Sequence, residues 1–251
     1  VLCNKTFRIG LTVFLFLGIS IAGCSSIGRI PKKQIKTIKP IDLPEGYGWW
    51  YARFRMTWPP DTKPAWHMDL YLAHQVIMPL LKEKKEEIQL WRFHRRAARD
   101  LAGRQFSFIF YSTPQTAQYI FSLLQSDLGL INMKSAGLIE RDIYDNPSKI
   151  TRPNIEDTSD RNWPTSIKKT WPYYINGTSQ MWLNLISEVA DDNLDGTTPS
   201  SPQEIEAFYR QINEKVTELW REKGRHAFMH HLNAIFGYES LVYWEKRYLT
   251  F

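Results

Sequence analysis

The amino-acid sequence predicts an α+β protein in which strands and helices follow one another as βαββαβ, with a C-terminal group of helices behind them. Three observations predict it. Apolar residues alternate with a period of two in four short stretches between Trp49 and Tyr144, the spacing of half-buried strands. Two stretches of helical spacing separate the first strand from the second and the third from the fourth. Beyond residue 163 the apolar spacing is almost wholly helical.

The first strand places Trp50, Ala52, Phe54, Met56 and Trp58 on one face and Tyr51, Arg53, Arg55 and Thr57 on the other; Pro59-Pro60-Asp61 ends it. A helix is predicted over 64–87. Trp66, Leu70, Ala73, Ile77 and Leu80 form one stripe of it, and His67, Tyr71, His74, Met78 and Leu81 a second. Pro79 is expected to kink it, because proline lacks the N–H and its ring meets the carbonyl four residues back. Strands are predicted over 88–95 and 104–112. Thr113-Pro114 then opens a helix with a capping hydroxyl and a proline at the first position, burying Ala117, Ile120, Phe121 and Leu124. After Gly137, residues 138–144 make the fourth strand. This order is the ferredoxin-like split βαβ arrangement.

Residues 145–162 are polar and predict a loop. A helix is expected over 164–190, with a break at Asn176-Gly177. Ser201-Pro202-Gln203-Glu204 combines a capping box with proline at the first position. The spacing of Ile205, Phe208, Ile212, Val216 and Leu219 extends the helix it opens. Gly224 is expected to break that helix before another over 225–237. The aromatic end, 238–251, is expected to pack back onto the body. The expected divisions are therefore an α+β region over 47–144 and a mainly helical region over 145–251.

The first residues predict an address. Lys5 and Arg8 precede an apolar run from Ile9 to Ile21, about 13 residues, where a bilayer core needs about 20. A basic start, a short apolar stretch and small residues at its end read as a secretory signal peptide over 1–23. Residues 24–46 then form a tether carrying Arg29, Lys32, Lys33, Lys36 and Lys39. Removing these five charges and those of Lys5 and Arg8 from the formal +6 leaves −1 for residues 40–251. The folded part is nearly neutral, with no basic stripe that calls for nucleic acid. Apart from Cys24, the one cysteine is Cys3 in the signal, so Cys24 has no second cysteine in the mature chain to pair with.

Ile21-Ala22-Gly23-Cys24 resembles the lipobox of bacterial lipoproteins. The resemblance implies cleavage before Cys24 and lipid on its thiol. Ser25 after the cysteine implies the outer membrane, facing the periplasm. The membrane is then one partner, through the lipid and the basic tether, and an envelope protein is another. A second resemblance covers residues 49–190: an aromatic first strand, a helix carrying Pro79, then Trp91-Arg92-Phe93-His94-Arg95, another aromatic strand and a late aromatic-rich helix. These features are similar to the thiopeptide-type C-terminal domain of lantibiotic dehydratases, a cytoplasmic peptide-acting family. The arginines that family carries on the next strand are Ser107 and Ile109 here. The resemblance therefore implies fold and no catalytic residue.

Three clusters are candidate sites. Arg92, His94, Arg95, Arg96 and Arg99 concentrate donors between aromatic strands, either an anion-binding rim or a solvated loop of Arg–Asp pairs. His226 and His230 stand i, i+4 on a predicted helix, so both can face one Zn2+ with His67 or His74 as a third ligand, or they bond neighbouring helices. Asp191, Asn193 and Asp195 before Gly196 match the start of a Ca2+-binding EF-hand loop, but the twelfth position is Pro202 where a glutamate is required, and Glu204 lies two residues too late. No nucleophile elbow or glycine-rich phosphate loop occurs. Two readings of function stand side by side: a non-enzymatic envelope lipoprotein that binds a partner, and a small-ligand binder or enzyme whose site joins the Arg92–Arg104 region to the late helices.

Overall fold

A computed structural model describes residues 43–192 and 199–240. Four strands form one sheet: β1 (Gly48–Met56), β2 (Leu90–Ala97), β3 (Arg104–Ser112) and β4 (Ile139–Tyr144). Their order across the sheet is β2-β3-β1-β4, and every neighbouring pair is antiparallel. Helices cover one face, so the protein is of the α+β class.

The alternation read in the sequence decides which face is covered. Trp50, Ala52 and Phe54 of β1 lie opposite Phe110, Phe108 and Phe106 of β3, and Trp91 and Phe93 of β2 continue the same rows. All are buried and form the sheet side of the main core. Such cross-strand aromatic pairs each add stability beyond the area they bury.

The helical run 67–83 (α1) packs on this face. Its middle, Leu72–Ile77, is a π-helical turn between α-helical His67–Tyr71 and Met78–Glu83. Met78 N–H bonds the carbonyl of Ala73, five residues back. The wide turn ends beside Pro79, where the α-helical register fails for want of an N–H. The expected kink is thus taken up as a π turn.

Thr113 caps α2 (Pro114–Ser126) through the N–H of Thr116. Ala117, Ile120, Phe121 and Leu124 are buried as expected. A short helix absent from the sequence reading, α3 (Leu128–Ser135), follows, capped by Asp127. It ends at Gly137, whose φ of +73° is the left-handed conformation glycine adopts most readily.

The second face of the sheet holds a smaller cluster, Trp49, Leu90, Ile109 and Tyr111. It is closed by the polar segment after β4, which is tied down rather than loose. Trp49 Nε1 donates to Ile155 O at 2.9 Å, and Tyr111 hydroxyl to Pro153 O at 2.6 Å. A 3-10 turn, Ile155–Thr158, closes the segment with its own capping box.

Two long helices complete the fold. α4 runs unbroken from Thr165 to Asp191, through Pro172 and through Asn176-Gly177. The expected break is absent because the pair is fixed from outside. Asn176 Oδ1 accepts the Trp91 N–H at 2.9 Å, and Ser179 Oγ accepts the Phe93 N–H at 3.1 Å. These are outward N–H groups of the edge strand β2, so α4 covers an edge that is otherwise open to pairing.

α5 (Pro202–Gly224) begins with the predicted capping box and packs Tyr209, Ile212 and Val216 into the core. Gly224 does not end the helical path, which continues as a π turn, Arg225–His230, into α6 (His231–Ile235). A Cβ at Gly224 would stand 2.6 Å from the Trp220 ring. Glycine is there to admit that ring, which stacks on Phe228 at 5.5 Å. Of the aromatic end, Tyr238 is exposed and 241–251 lie outside the described residues. No helix among the described residues is long and apolar enough to cross a membrane.

Candidate functional site

Where α4 and α5 pass the edge of β2, they leave an open cleft of about 790 Å³. Four tryptophans line it: Trp163 before α4, Trp171 and Trp182 on α4, and Trp220 on α5. Trp171, Ile175 and Trp182 recur at i, i+4 and i+11, and Asn213, Val216 and Trp220 at i, i+3 and i+7. One face of each helix therefore supplies one wall. The floor is β2, with Arg92, Phe93, His94 and Arg95. Because successive strand residues point to opposite faces, Arg92 and His94 enter from one side of the sheet and Arg95 from the other. The cleft thus wraps round the sheet's edge.

Each guanidinium is held in place. Arg92 donates from Nε to Thr158 Oγ1 at 2.9 Å and lies 5.1 Å over the Trp171 ring. Burial draws it below the ordinary guanidinium value, with the Tyr51 hydroxyl opposing. Arg95 lies 4.9 Å from both the Trp66 and Trp182 rings. It donates from Nε to Asp69 Oδ2 at 2.7 Å and from Nη2 to Trp66 O at 3.1 Å. Asp69 is fully buried, and its other oxygen accepts from Arg104 Nη2 at 2.5 Å. The buried Arg104 stacks beneath Trp66 at 4.3 Å. Its Nε and Nη1 have no hydrogen-bond partner among the described residues.

His94 keeps an open flank to solvent. Its imidazole is held below the usual value, first by desolvation against the sheet and then by Arg92 and Arg96. It is neutral at neutral pH, and among the described residues no side-chain hydrogen bond ties it to a hydroxyl or carboxylate. What the cleft offers is apolar ring surface, oriented guanidinium donors and a ring of small polar groups, Thr158, Ser159, Thr178, Ser179 and Thr217.

The structure therefore divides the predicted arginine cluster. Arg92, His94 and Arg95 meet in the cleft. Arg96 instead pairs with Asp100, whose carboxyl it pulls down to about 2, and with Gly103 O. Arg99 stacks on Trp58 and donates to the carbonyls of Trp58 and Pro59. Both hold loops together. The sequence reading missed the four tryptophans as a site: the one signal was an aromatic-rich late helix, and apolar helical spacing marks burial against anything, including a ligand.

The predicted metal ligands lie apart. His226 and His230 stack face to face at 5.1 Å on the exposed turn after α5. His67 and His74 are buried between α1 and α5. His74 Nδ1 meets Tyr209 hydroxyl at 2.8 Å, and His67 Nε2 approaches Glu206 Oε1 at 3.4 Å without hydrogen-bond alignment. Among the described residues no three His, Cys, Asp or Glu side chains are placed to hold a metal ion. Asp191 ends α4, while Asn193 and Asp195 lie outside the described residues. Glu204 Oε2 accepts the N–H groups of Ser200 and Ser201, which hold its carboxyl at about 2. The capping role occupies the one carboxylate a calcium loop has to borrow.

No family model, curated protein or solved structure matches the chain.

Proposed function

We propose that this chain is a lipid-anchored binding protein of the bacterial cell envelope, non-enzymatic, whose cleft takes an apolar ligand. The observation that carries the binding reading is the set of four indoles around a cleft of about 790 Å³. Ligand pockets are clefts of this size with mostly apolar walls and a few placed polar groups. Trp220 is 47% exposed and Trp163 36% exposed, so each of these large rings, though packed on one side against Phe228 or Trp171, keeps a broad surface open to the cleft. The address rests on the signal-like start, the lipobox-like Ile21-Ala22-Gly23-Cys24 and the basic segment after it; Ser25 supports the outer membrane, facing the periplasm. The strand order β2-β3-β1-β4, antiparallel throughout, supports the ferredoxin-like reading of the fold.

The test uses the full-length lipoprotein in lipid nanodiscs and 2-naphthylmethanol, a flat neutral probe. Isothermal titration should detect saturable binding beyond that of empty nanodiscs. Trp220→Ala and Trp163→Ala should each weaken it about three- to tenfold, the weight of an aromatic pair. Binding indifferent to both substitutions would remove the cleft from consideration.

A further inference from the structure

Arg92 differs from the other arginines of β1 and β2. Arg53 meets Asp145, Arg55 meets Glu140, Arg95 meets Asp69, and Arg96 meets Asp100. Each positive charge on these strands is answered by a carboxylate except that of Arg92. Its neighbours are the Thr158 hydroxyl and carbonyl, the Tyr51 hydroxyl and the Trp171 ring, all neutral. Among the described residues no carboxylate pairs with it.

This guanidinium is also half-buried at the sheet edge, and that burial draws it below the ordinary guanidinium value. Withdrawing a cation from water without a counter-charge is unfavourable, and a bound anion offsets it. The neighbours pre-orient the fork: the Trp171 ring lies 5.1 Å from it, and Thr158 holds its Nε and Nη2 edge. Beside it His94 adds a second nitrogen-bearing ring on the same side of the sheet, with Arg96 beyond. The one acidic residue in the cleft lining, Asp160, turns Oδ1 back to the Asn162 N–H at 2.8 Å.

The indoles of Trp163 and Trp171 meet edge to face at 5.4 Å next to this charge. An apolar wall and an unanswered cation thus share one end of the cleft. A neutral apolar ligand uses only the wall; an ion with no apolar part uses only Arg92.

We propose that the cleft binds a hydrophobic carboxylate, with its acid group on Arg92 and its apolar body against the tryptophans. The proposal rests on the cleft being a binding site, and it adds the charge and polarity of the ligand. An aromatic acid and an aliphatic acid present the same chemistry here.

Isothermal titration of the full-length protein in nanodiscs distinguishes the cases, using 2-naphthoate, 2-naphthylmethanol and decanoate, each corrected for binding to empty nanodiscs. Wild type should prefer naphthoate to naphthylmethanol by about 10- to 100-fold, the weight of a charge-assisted hydrogen bond. Arg92→Gln should abolish that preference, so that naphthoate and naphthylmethanol bind the variant with equal affinity. Arg92→Lys, which keeps charge but not the fork, should restore part of it. Thermal melting of each variant checks that the fold survives. If Arg92→Gln does not fold, titration of wild type at rising salt takes its place: naphthoate should weaken with ionic strength and naphthylmethanol should not.

Decanoate binding as well as naphthoate assigns an aliphatic acid to the Arg92 anchor, and weaker decanoate binding assigns an aromatic one. Equal affinity of wild type for naphthoate and naphthylmethanol overturns the anion and leaves the apolar cleft standing. A preference that survives Arg92→Gln overturns Arg92 as the anchor. Absence of binding by all three probes overturns this proposal together with the binding reading beneath it.

Discussion

Asp69 has no exposure to solvent and answers Arg95 and Arg104 with separate oxygens. A carboxylate is tolerated in a core when it is paired and its lone pairs are used. Removing its charge leaves two guanidiniums facing each other beneath Trp66. Asp69→Asn should therefore destabilise the fold by about 3 kcal/mol or more, read as a lower urea midpoint. Asp100→Asn breaks the solvent-exposed pair with Arg96 and should leave the midpoint nearly unchanged, because water and salt screen such pairs. Equal losses in the two variants would show that burial is not what gives the Asp69 contact its weight. The arginine cluster was visible in the sequence as a cluster. Which members are structural was not, since Asp69 stands 26 and 35 residues from its two partners and nothing local links them.

The contact between α1 and α5 is titratable. It buries His67 and His74 against Glu206 and Tyr209. Burial is the largest cause holding both imidazoles below the usual value. Arg210 reinforces it at His67 and Lys82 at His74, while Glu206, Asp69 and Asp191 oppose. In the unfolded chain both titrate at the ordinary value near 6.5. Below that pH the unfolded state binds protons that the folded state refuses, so stability falls as pH drops through 6.5. His94, lowered in the same direction, adds to the slope. The melting temperature should fall between pH 7.5 and 5.5, above the range where Asp100 and Glu204 take up protons. His74→Gln, which keeps a polar group beside Tyr209, should flatten the fall. A melting temperature constant or rising over that interval contradicts the buried neutral interface. At this scale much was legible: the Thr113 and Ser201 caps, the four strands and the stripes of the helices. The continuity of α4 was not, because Asn176 and Gly177 are weak helix formers and their reason for being helical is the β2 edge.

For the whole molecule the firmest expectation concerns Cys24. No other cysteine follows the signal-like start, so the proposed lipid has no other thiol to join. Cys24→Ser should accumulate as unprocessed precursor or leave the membrane fraction, seen by fractionation and by the mass of the N-terminal peptide. Unchanged processing together with unchanged membrane retention would refute the lipoprotein reading. The sequence by itself determined what depends on neighbours in the chain. Period-two and helical spacing marked the elements, hydroxyl and proline positions marked where helices begin, and a basic, apolar and small-residue order marked the expected address. Tertiary structure alone decided what depends on residues far apart. It sent Arg96 and Arg99 to loops and Arg92 to the cleft, and it gathered four tryptophans of α4, the residues before it and α5 around that cleft. It also separated His67 and His74 from His226 and His230. The physical reason is range: hydrogen-bonded turns and pleats are written over a few residues, whereas a cleft exists only when two helices and a strand edge far apart in the chain, 85 residues at the Trp91–Asn176 contact, are brought together by burying the apolar faces they share.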